Sequence, residues 1–137
     1  MSSPPNPAED REAIRALLSL YGRLWDQGAV REVVALFTAD GEWRSKLGSA
    51  TGPVEIEALL ARIGRGRGNG EAPARRHFVA NFTIDLAGDV AMAESDFLVV
   101  QHDGGAFTIV SMGSYRDRLA RQQEGWRILQ RVIVHPG

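Results

Sequence analysis

The sequence predicts an α+β fold in which N-terminal helices pack on one antiparallel sheet. Apolar residues recur at helical spacing in the first half, and nearly everything after residue 75 alternates like a strand. Glycine marks each break between the predicted strands, as it does in hairpins. A run of helices followed by a run of strands is typical of the α+β class.

Three helices are predicted. The first begins at Pro7 with Asn6 as its N-cap and ends near Gly28, which suits a left-handed turn. Its apolar stripe consists of Ile14, Leu17, Leu18, Tyr21, Leu24 and Trp25. A short second helix carries Val33, Val34, Leu36 and Phe37. The third begins at Gly52-Pro53 and carries Ile56, Leu59, Leu60 and Ile63.

The remaining segments read as strands and loops. A turn at 38–41 precedes a weakly alternating strand at 42–47, and the glycines of 64–70 predict a mobile loop. The four long strands are predicted at 76–86, 89–101, 106–119 and 125–135.

Composition limits the possible roles. The 137 residues form one domain, 7–137, after a disordered segment 1–6, and this length supports a core without a metal or disulfide. Sixteen basic against seventeen acidic residues argue against a nucleic-acid partner. The chain has no cysteine, which excludes thiolate chemistry.

Targeting signals and cofactor motifs are not recognisable. We find neither a signal-peptide pattern nor an apolar run of membrane-spanning length, so we expect a cytoplasmic protein with no membrane partner. The three histidines lack metal-ligand spacing, and no phosphate-binding glycine motif follows a strand. We therefore expect neither a metal nor another cofactor.

The first long strand alternates between an apolar face and a mixed face. The apolar face is predicted to hold Phe78, Ala80, Phe82, Ile84 and Leu86. The mixed face is predicted to hold His77, Val79, Asn81, Thr83 and Asp85, which suits a pocket lining better than a dry core. Helices that cover only one face of the sheet leave the other exposed, so we expect a homo-oligomer, a dimer or trimer.

His77 is the first candidate catalytic residue. Imidazole titrates near neutral pH and can serve as a general base, which then needs a carboxylate to orient it. Asp26 is the obvious carboxylate, but it lies beside the apolar stripe at the end of a helix. From the residues alone, Asp26 either caps the next helix or turns inward towards His77, and a purely structural His77 also remains open.

Further polar residues interrupt the predicted strands. Arg131 lies on the same predicted face as Arg127, Leu129, Ile133 and His135, where it either stabilises a developing anion or forms a salt bridge at the sheet rim. Asp96, Ser111 and Tyr115 are weaker candidates for a substrate pocket. His102 and His135 lie at a hairpin and near the end of the chain, where exposure is the usual outcome.

The order of these residues resembles the SnoaL-like group of the nuclear-transport-factor-two-like superfamily, over nearly the whole chain. Within it, the chain resembles scytalone dehydratase and hexachlorocyclohexane dehydrochlorinase. The segments that carry the resemblance are AIRALLSLYGRLWDQGAVREVVALFTADGEW, TGPVEIEALL, RHFVANFTI and GSYRDRLARQQEGWRILQR.

The resemblance implies a curved sheet wrapped by helices into a cone that encloses a largely apolar pocket. It also implies a histidine–aspartate dyad at His77 and Asp26, and an arginine that assists the leaving group at Arg131. Trp25 stands where the dehydratase has a water-positioning tyrosine, and Trp43 lies near the place of the second. Its second histidine has no clear match, with His102 the nearest, and Ser111 only approximates an amide position.

These observations predict a cofactor-free lyase or isomerase that acts on a small apolar molecule. The pocket walls are predicted to be Tyr21, Trp25, Phe37, Trp43, Asn81, Asp96, Phe97, Ser111 and Tyr115. Two other functions are open: a non-catalytic small-molecule-binding module, and a structural subunit like the small subunit of ring-hydroxylating dioxygenases.

Overall fold

Three helices precede the long strands, in the predicted order. The computed structural model describes residues 6–65 and 74–136, so positions 1–5 of the predicted N-terminal segment and 66–70 of the predicted loop lie outside the described residues. The elements are α1 (Pro7–Asp26), α2 (Val30–Val34), β1 (Phe37–Ser45), β2 (Gly48–Thr51), α3 (Pro53–Arg65), β3 (Ala74–Ala87), β4 (Val90–Asp103), β5 (Ala106–Gln122) and β6 (Gly125–Val134).

The six strands form one mostly antiparallel, unclosed sheet, which confirms the predicted fold class. Their order is β2-β1-β6-β5-β4-β3, and every neighbouring pair is antiparallel except β1 with β6. The N-terminal helices cover one face of this sheet and bury an apolar core against it. None of the helices in the described residues is long and apolar enough to span a membrane.

Helix α1 begins where the sequence predicts. The side-chain oxygen of Asn6 accepts hydrogen bonds from the backbone N–H groups of Ala8 and Glu9, at 3.1 and 3.2 Å. These bonds satisfy two of the amide groups that the first helical turn leaves without partners. The capped end fixes where α1 starts and therefore which residues it presents at its other end, next to β3.

The first strand differs from its prediction. Phe37 does not belong to α2 but begins β1, and residues 38–41 form part of the same strand rather than a turn. The cause is tertiary: β1 pairs in parallel with β6, and the pairing register shifts between Phe37 and Glu42. Local turn signals in 38–41 therefore mark an irregularity within a strand.

A bulge in β3 changes the predicted faces. Asn81 has a left-handed backbone with φ of 58°, and the register with β4 shifts between Ala80 and Thr83. The extra residue reverses the alternation, so the side chains that face the core are His77 and Val79 before the bulge and Phe82, Ile84 and Leu86 after it. Phe78 and Phe82 thus lie on opposite faces, and the prediction that they share one is wrong.

We predict that Gly113→Ala destabilises the sheet. A Cβ atom at this position would clash with the carbonyl oxygen of Val134 and would lie 2.9 Å from the ring of Phe97. The expected loss is about 1–3 kcal/mol in the free energy of unfolding, measured with urea. Gly64→Ala in α3 is the matched control, because nothing lies within 4 Å of that position. Equal stability of the two variants would contradict the prediction.

Candidate active site

A glycine allows α1 to lie unusually close to β3. A Cβ atom at Gly22 would be 3.0 Å from the Cβ atom of His77, a distance that permits almost no side chain at that point. The close approach brings the last residue of α1, Asp26, beside the N-terminal half of β3. Helix and strand are therefore spaced so that a short carboxylate reaches the histidine.

Asp26 binds both the backbone and the ring of His77. The N–H group of His77 donates to one carboxylate oxygen of Asp26 at 2.9 Å, and ring atom Nδ1 lies 2.6 Å from the other. Both side chains are less than a tenth exposed. Because a carboxylate only accepts, Nδ1 carries the proton of this hydrogen bond, and in the neutral form of such a ring the lone pair is on Nε2.

Asp26 does not cap the following helix. The N-cap position of α2 is Ala29, which makes no side-chain capping bond. The carboxylate instead points back across the end of α1 to His77, which settles the alternative that sequence alone left open. The pair is an oriented imidazole of the kind that general bases use.

His77 lies in the wall of a cavity of about 460 Å³ between the helices and the inner face of the sheet. The cavity is lined by Tyr21, Trp25, Trp43, Ser45, Leu47, Ile63, Arg75, His77, Phe97, Val99, Val110, Ser111, Tyr115, Ile133 and His135. Aromatic and aliphatic side chains dominate, with a few polar groups among them. No aspartate or glutamate occurs in this lining, as far as the described residues extend.

A tyrosine and a tryptophan are hydrogen bonded to each other in this wall. The indole N–H of Trp43 donates to the Tyr21 hydroxyl at 2.9 Å, and both side chains are buried. Burial raises the pKa of the Tyr21 hydroxyl, although the charge of Arg131 and the bond from Trp43 act in the opposite direction. Tyr21 is therefore protonated at neutral pH.

Arg131 lies behind the tyrosines rather than in the cavity wall. Its guanidinium is fully buried and binds both oxygens of Asp117, at 2.8 and 2.9 Å. The guanidinium carbon lies 4.2 Å from the ring centroid of Tyr21 and 3.7 Å from that of Tyr115. Burial disfavours the charge, but Asp117 outweighs it and keeps the pKa of Arg131 above its usual range.

These features place the chain in a known family. A family model of the SnoaL-like domain matches residues 6–132. The chain belongs to the SnoaL-like domain family. This agrees with the resemblance in the sequence, and no curated protein matches this SnoaL-like chain significantly.

Solved structures share the fold over nearly the full chain. An NTF2-like protein with a cystatin-like fold from Novosphingobium aromaticivorans is 29% identical with a TM-score of 0.79, covering 93% of this chain and 82% of its own. Aln2 from a Streptomyces species is 27% identical with a TM-score of 0.81, covering 97% and 94%. A candidate scytalone dehydratase from Novosphingobium aromaticivorans, 21% identical with a TM-score of 0.77 over 95% and 86%, shows the likeness of fold.

Several residues predicted for this pocket lie elsewhere in the SnoaL-like fold. Phe37 lines a separate depression near α2. Asn81 and Asp96 lie on the outer face of the sheet, where Asn81 and Ser114 donate hydrogen bonds to the Asp96 carboxylate at 3.0 and 2.8 Å. The Asn81 bulge explains this outward position, because it ends the alternation that began at His77.

The predicted face of Arg131 is correct for Ile133 and His135, which lie on the cavity side, but not for Arg127 and Leu129. The register between β5 and β6 shifts at Leu129, so Trp126 and Ile128 are buried before the shift and Arg131 after it. Its partner is the buried carboxylate of Asp117 rather than one at the sheet rim. The guanidinium contacts the rings of Tyr21 and Tyr115, and these two tyrosines, rather than Arg131, line the cavity.

His135 is a cavity residue that sequence reasoning assigned to the exposed end of the chain. It follows Arg131 and Ile133 at strand spacing, and that alternation is a signal that could have placed it inside. Burial, together with the nearby charge of Lys46, lowers the pKa of His135, which favours a neutral ring. His102 instead stacks on Phe107 at the β4–β5 hairpin, outside the cavity.

Metal ligands are not clustered in this site. Within residues 6–65 and 74–136, no group of three or more histidine, cysteine, aspartate or glutamate side chains is arranged to hold a metal ion.

We predict that Asp117→Asn is strongly destabilising. The substitution leaves the charge of Arg131 buried without its counter-ion, which should cost about 3–5 kcal/mol in the free energy of unfolding. The measurement is urea denaturation followed by circular dichroism.

Asp89→Asn provides the matched control. Asp89 also binds an arginine, Arg121, but its side chain is 83% exposed, so its loss should cost no more than about 1 kcal/mol. Similar losses in the two variants would contradict a special role for the buried pair.

Proposed function

We propose that this SnoaL-like protein is a cofactor-free lyase or isomerase that removes a proton from a small, largely apolar organic molecule. The hydrogen bond between His77 and Asp26 in the cavity wall is the observation that supports the proposal. Dehydration, dehydrohalogenation, isomerisation and cyclisation all begin with such a proton transfer. The apolar lining suits a substrate that enters by losing its hydration shell.

His77 is the general base in this proposal. Asp26 accepts a hydrogen bond from Nδ1–H, so in the neutral ring Nε2 carries the lone pair that can take the proton of a substrate C–H bond. The imidazolium that forms is stabilised by the adjacent carboxylate. Asp26 thus orients the ring before the reaction and balances its charge afterwards.

The other residues hold the substrate. Tyr21, Trp25, Trp43, Phe97, Ser111 and Tyr115 supply walls. Arg131 is a positioning residue: it contacts the rings of Tyr21 and Tyr115 and adds positive charge behind them. The resemblance implies instead that Arg131 assists a leaving group directly. The burial of Arg131 beneath the tyrosines does not favour such a contact.

Replacement of either dyad member should slow proton transfer and leave binding intact. We would incubate wild type, His77→Ala and Asp26→Asn in D₂O with a panel of C–H acids (hydroxyketones, 1,3-diketones and halocyclohexanes) and follow deuterium uptake and elimination by NMR. His77→Ala should slow the reaction by about 10²–10⁴. Asp26→Asn should slow it less, because the ring remains but loses its orienting acceptor.

The same experiment separates the alternatives. A binding module would hold members of the panel with similar affinity in all three proteins and convert none of them. A structural subunit would bind none of them and would co-purify with a larger chain. An unchanged rate in His77→Ala would show that His77 is not the base.

We also propose that two or more copies associate through the outer face of the sheet. Phe78, Phe107 and Met112 are 58%, 75% and 51% exposed there. Large exposed apolar patches are typical of interfaces, and a twofold axis brings the same patch of two copies together. A second copy is therefore a suitable cover for this face.

Light scattering after size-exclusion chromatography tests the association. Phe78→Lys should shift the protein to the monomer mass, because it places a charge in the apolar patch. Val54→Lys is the matched control, since Val54 is 81% exposed on α3, away from this face. A monomeric wild type would rule out the proposal.

A further inference from the structure

Arg75 differs from other arginines of this protein in the partner that it binds. Within residues 6–65 and 74–136, the other arginines that form a hydrogen bond or ion pair with a side chain have a carboxylate partner, namely Arg15, Arg31, Arg44, Arg121 and Arg131. Arg75 instead donates from Nε to the amide oxygen of Gln101, at 2.8 Å. Because the amide is neutral, the positive charge of Arg75 has no counter-ion among the described residues.

The bond to Gln101 also determines which edge of the guanidinium is open. A guanidinium presents five N–H groups in a flat fork, and the one on Nε is already used. The terminal atoms Nη1 and Nη2 of Arg75 form no hydrogen bond or ion pair with the described residues. Two parallel N–H groups on one edge match the two oxygens of a carboxylate. The amide of Gln101 therefore holds Arg75 with its carboxylate-binding edge available.

Arg75 lies in the same cavity as the dyad. Its half-buried side chain is part of the lining that contains His77. The two residues are two positions apart on β3, so they share a face and their Cα atoms are about 7 Å apart. Because β3 begins at Ala74, Arg75 lies at the end of the strand and His77 lies further into the sheet. One small molecule can therefore contact both side chains.

The other charges around the cavity favour an anion beside Arg75. As far as the described residues extend, the lining contains no aspartate or glutamate. Asp26 is already bound to His77 by two hydrogen bonds. Burial and the nearby charge of Lys46 lower the pKa of the lining residue His135, so a second cation stands beside the cavity. An anion at Arg75 thus meets positive charge without an opposing carboxylate.

The rest of the lining indicates what the anion is attached to. The walls are largely aromatic and aliphatic, and they include Trp25, Phe97 and Val99. A small inorganic anion would leave this apolar surface uncovered. A carboxylate on an aromatic or alicyclic body covers it and places the charge at the end of β3.

We propose that Arg75 binds a carboxylate group of the substrate and that Gln101 orients the arginine for this contact. The substrate class is a small organic acid with an aromatic or alicyclic body. This inference rests on the proposed function, because it takes the cavity of His77 as the substrate site, and it adds the group by which the substrate is recognised. The carboxylate serves for binding only, and the C–H bond that meets His77 lies elsewhere on the molecule.

A matched pair of ligands tests the inference without a known substrate. We would titrate wild type and Arg75→Gln with 3-cyclohexylpropanoate and with its neutral amide, 3-cyclohexylpropanamide, following tryptophan fluorescence because Trp25 and Trp43 line the cavity. The ratio of the two affinities is the readout. Loss of the charge-assisted pair should lower the carboxylate affinity by about tenfold, with the amide affinity within about twofold.

Arg76→Gln is the matched control. Arg76 is the next residue of β3, it is exposed where Arg75 is half-buried, and its replacement changes the net charge by the same amount. Since neighbouring strand residues point to opposite faces, the ratio should not change in this variant. An equal fall in both variants would show that net charge alone favours the carboxylate, which overturns the inference.

Gln101→Glu gives a second test in which Arg75 remains. The substitution supplies the arginine with a counter-ion at the position of its present partner, so the ratio should fall as it does in Arg75→Gln. Binding of the amide shows that each variant keeps its cavity. A wild type that binds both ligands equally, or an unchanged ratio in Arg75→Gln, overturns the inference.

Deuterium exchange in His77→Ala separates this inference from the proposed function. A carboxylate preference that depends on Arg75, together with exchange that His77→Ala leaves unchanged, would keep the carboxylate site and remove the base. Exchange that is lost in His77→Ala, together with an unchanged ratio in Arg75→Gln, would do the reverse.

Discussion

The buried ion pair between Arg131 and Asp117 is the interaction on which the rest of the structure depends. The two residues are register partners on β5 and β6, and neither side chain is exposed. Two charges removed from water are tolerated only when each has its counter-ion and good hydrogen bonds. The rings of Tyr21 and Tyr115 pack on the guanidinium, so the same pair supports one wall of the cavity.

The dyad depends on a second constraint, the spacing between α1 and β3. Gly22 lets the helix approach, and Asp26 at its end binds the His77 backbone and ring together. The backbone bond fixes the position of the carboxylate, and the ring bond fixes the tautomer. A histidine held in this way is oriented before any ligand arrives, which lowers the reorganisation that the proposed proton transfer would need.

The sequence predicted the helices, the long strands and His77 because periodicity and turn residues are local signals. It misplaced Asn81, and gave Arg131 two wrong neighbours, because a single-residue bulge reverses a strand's faces and leaves little trace in local composition. Asp96 faces outward for a simpler reason, since β4 alternates regularly and the adjacent Phe97 faces the core. Phe37 was misassigned for a related reason, since only pairing with β6 makes it a strand residue. The position of Asp26 came from the resemblance rather than from the residues themselves.

The parallel pairing of β1 with β6 has a consequence for how the protein folds. The antiparallel hairpins of β3, β4 and β5 join neighbours along the chain, but β1 cannot enter the sheet until β6 has been synthesised. The indole of Trp126 likewise donates to Asp10, 116 positions away. Such distant contacts slow folding and delay closure of the cavity. Until then, the exposed edge of β5 and the apolar side of α1 are the surfaces at greatest risk of aggregation.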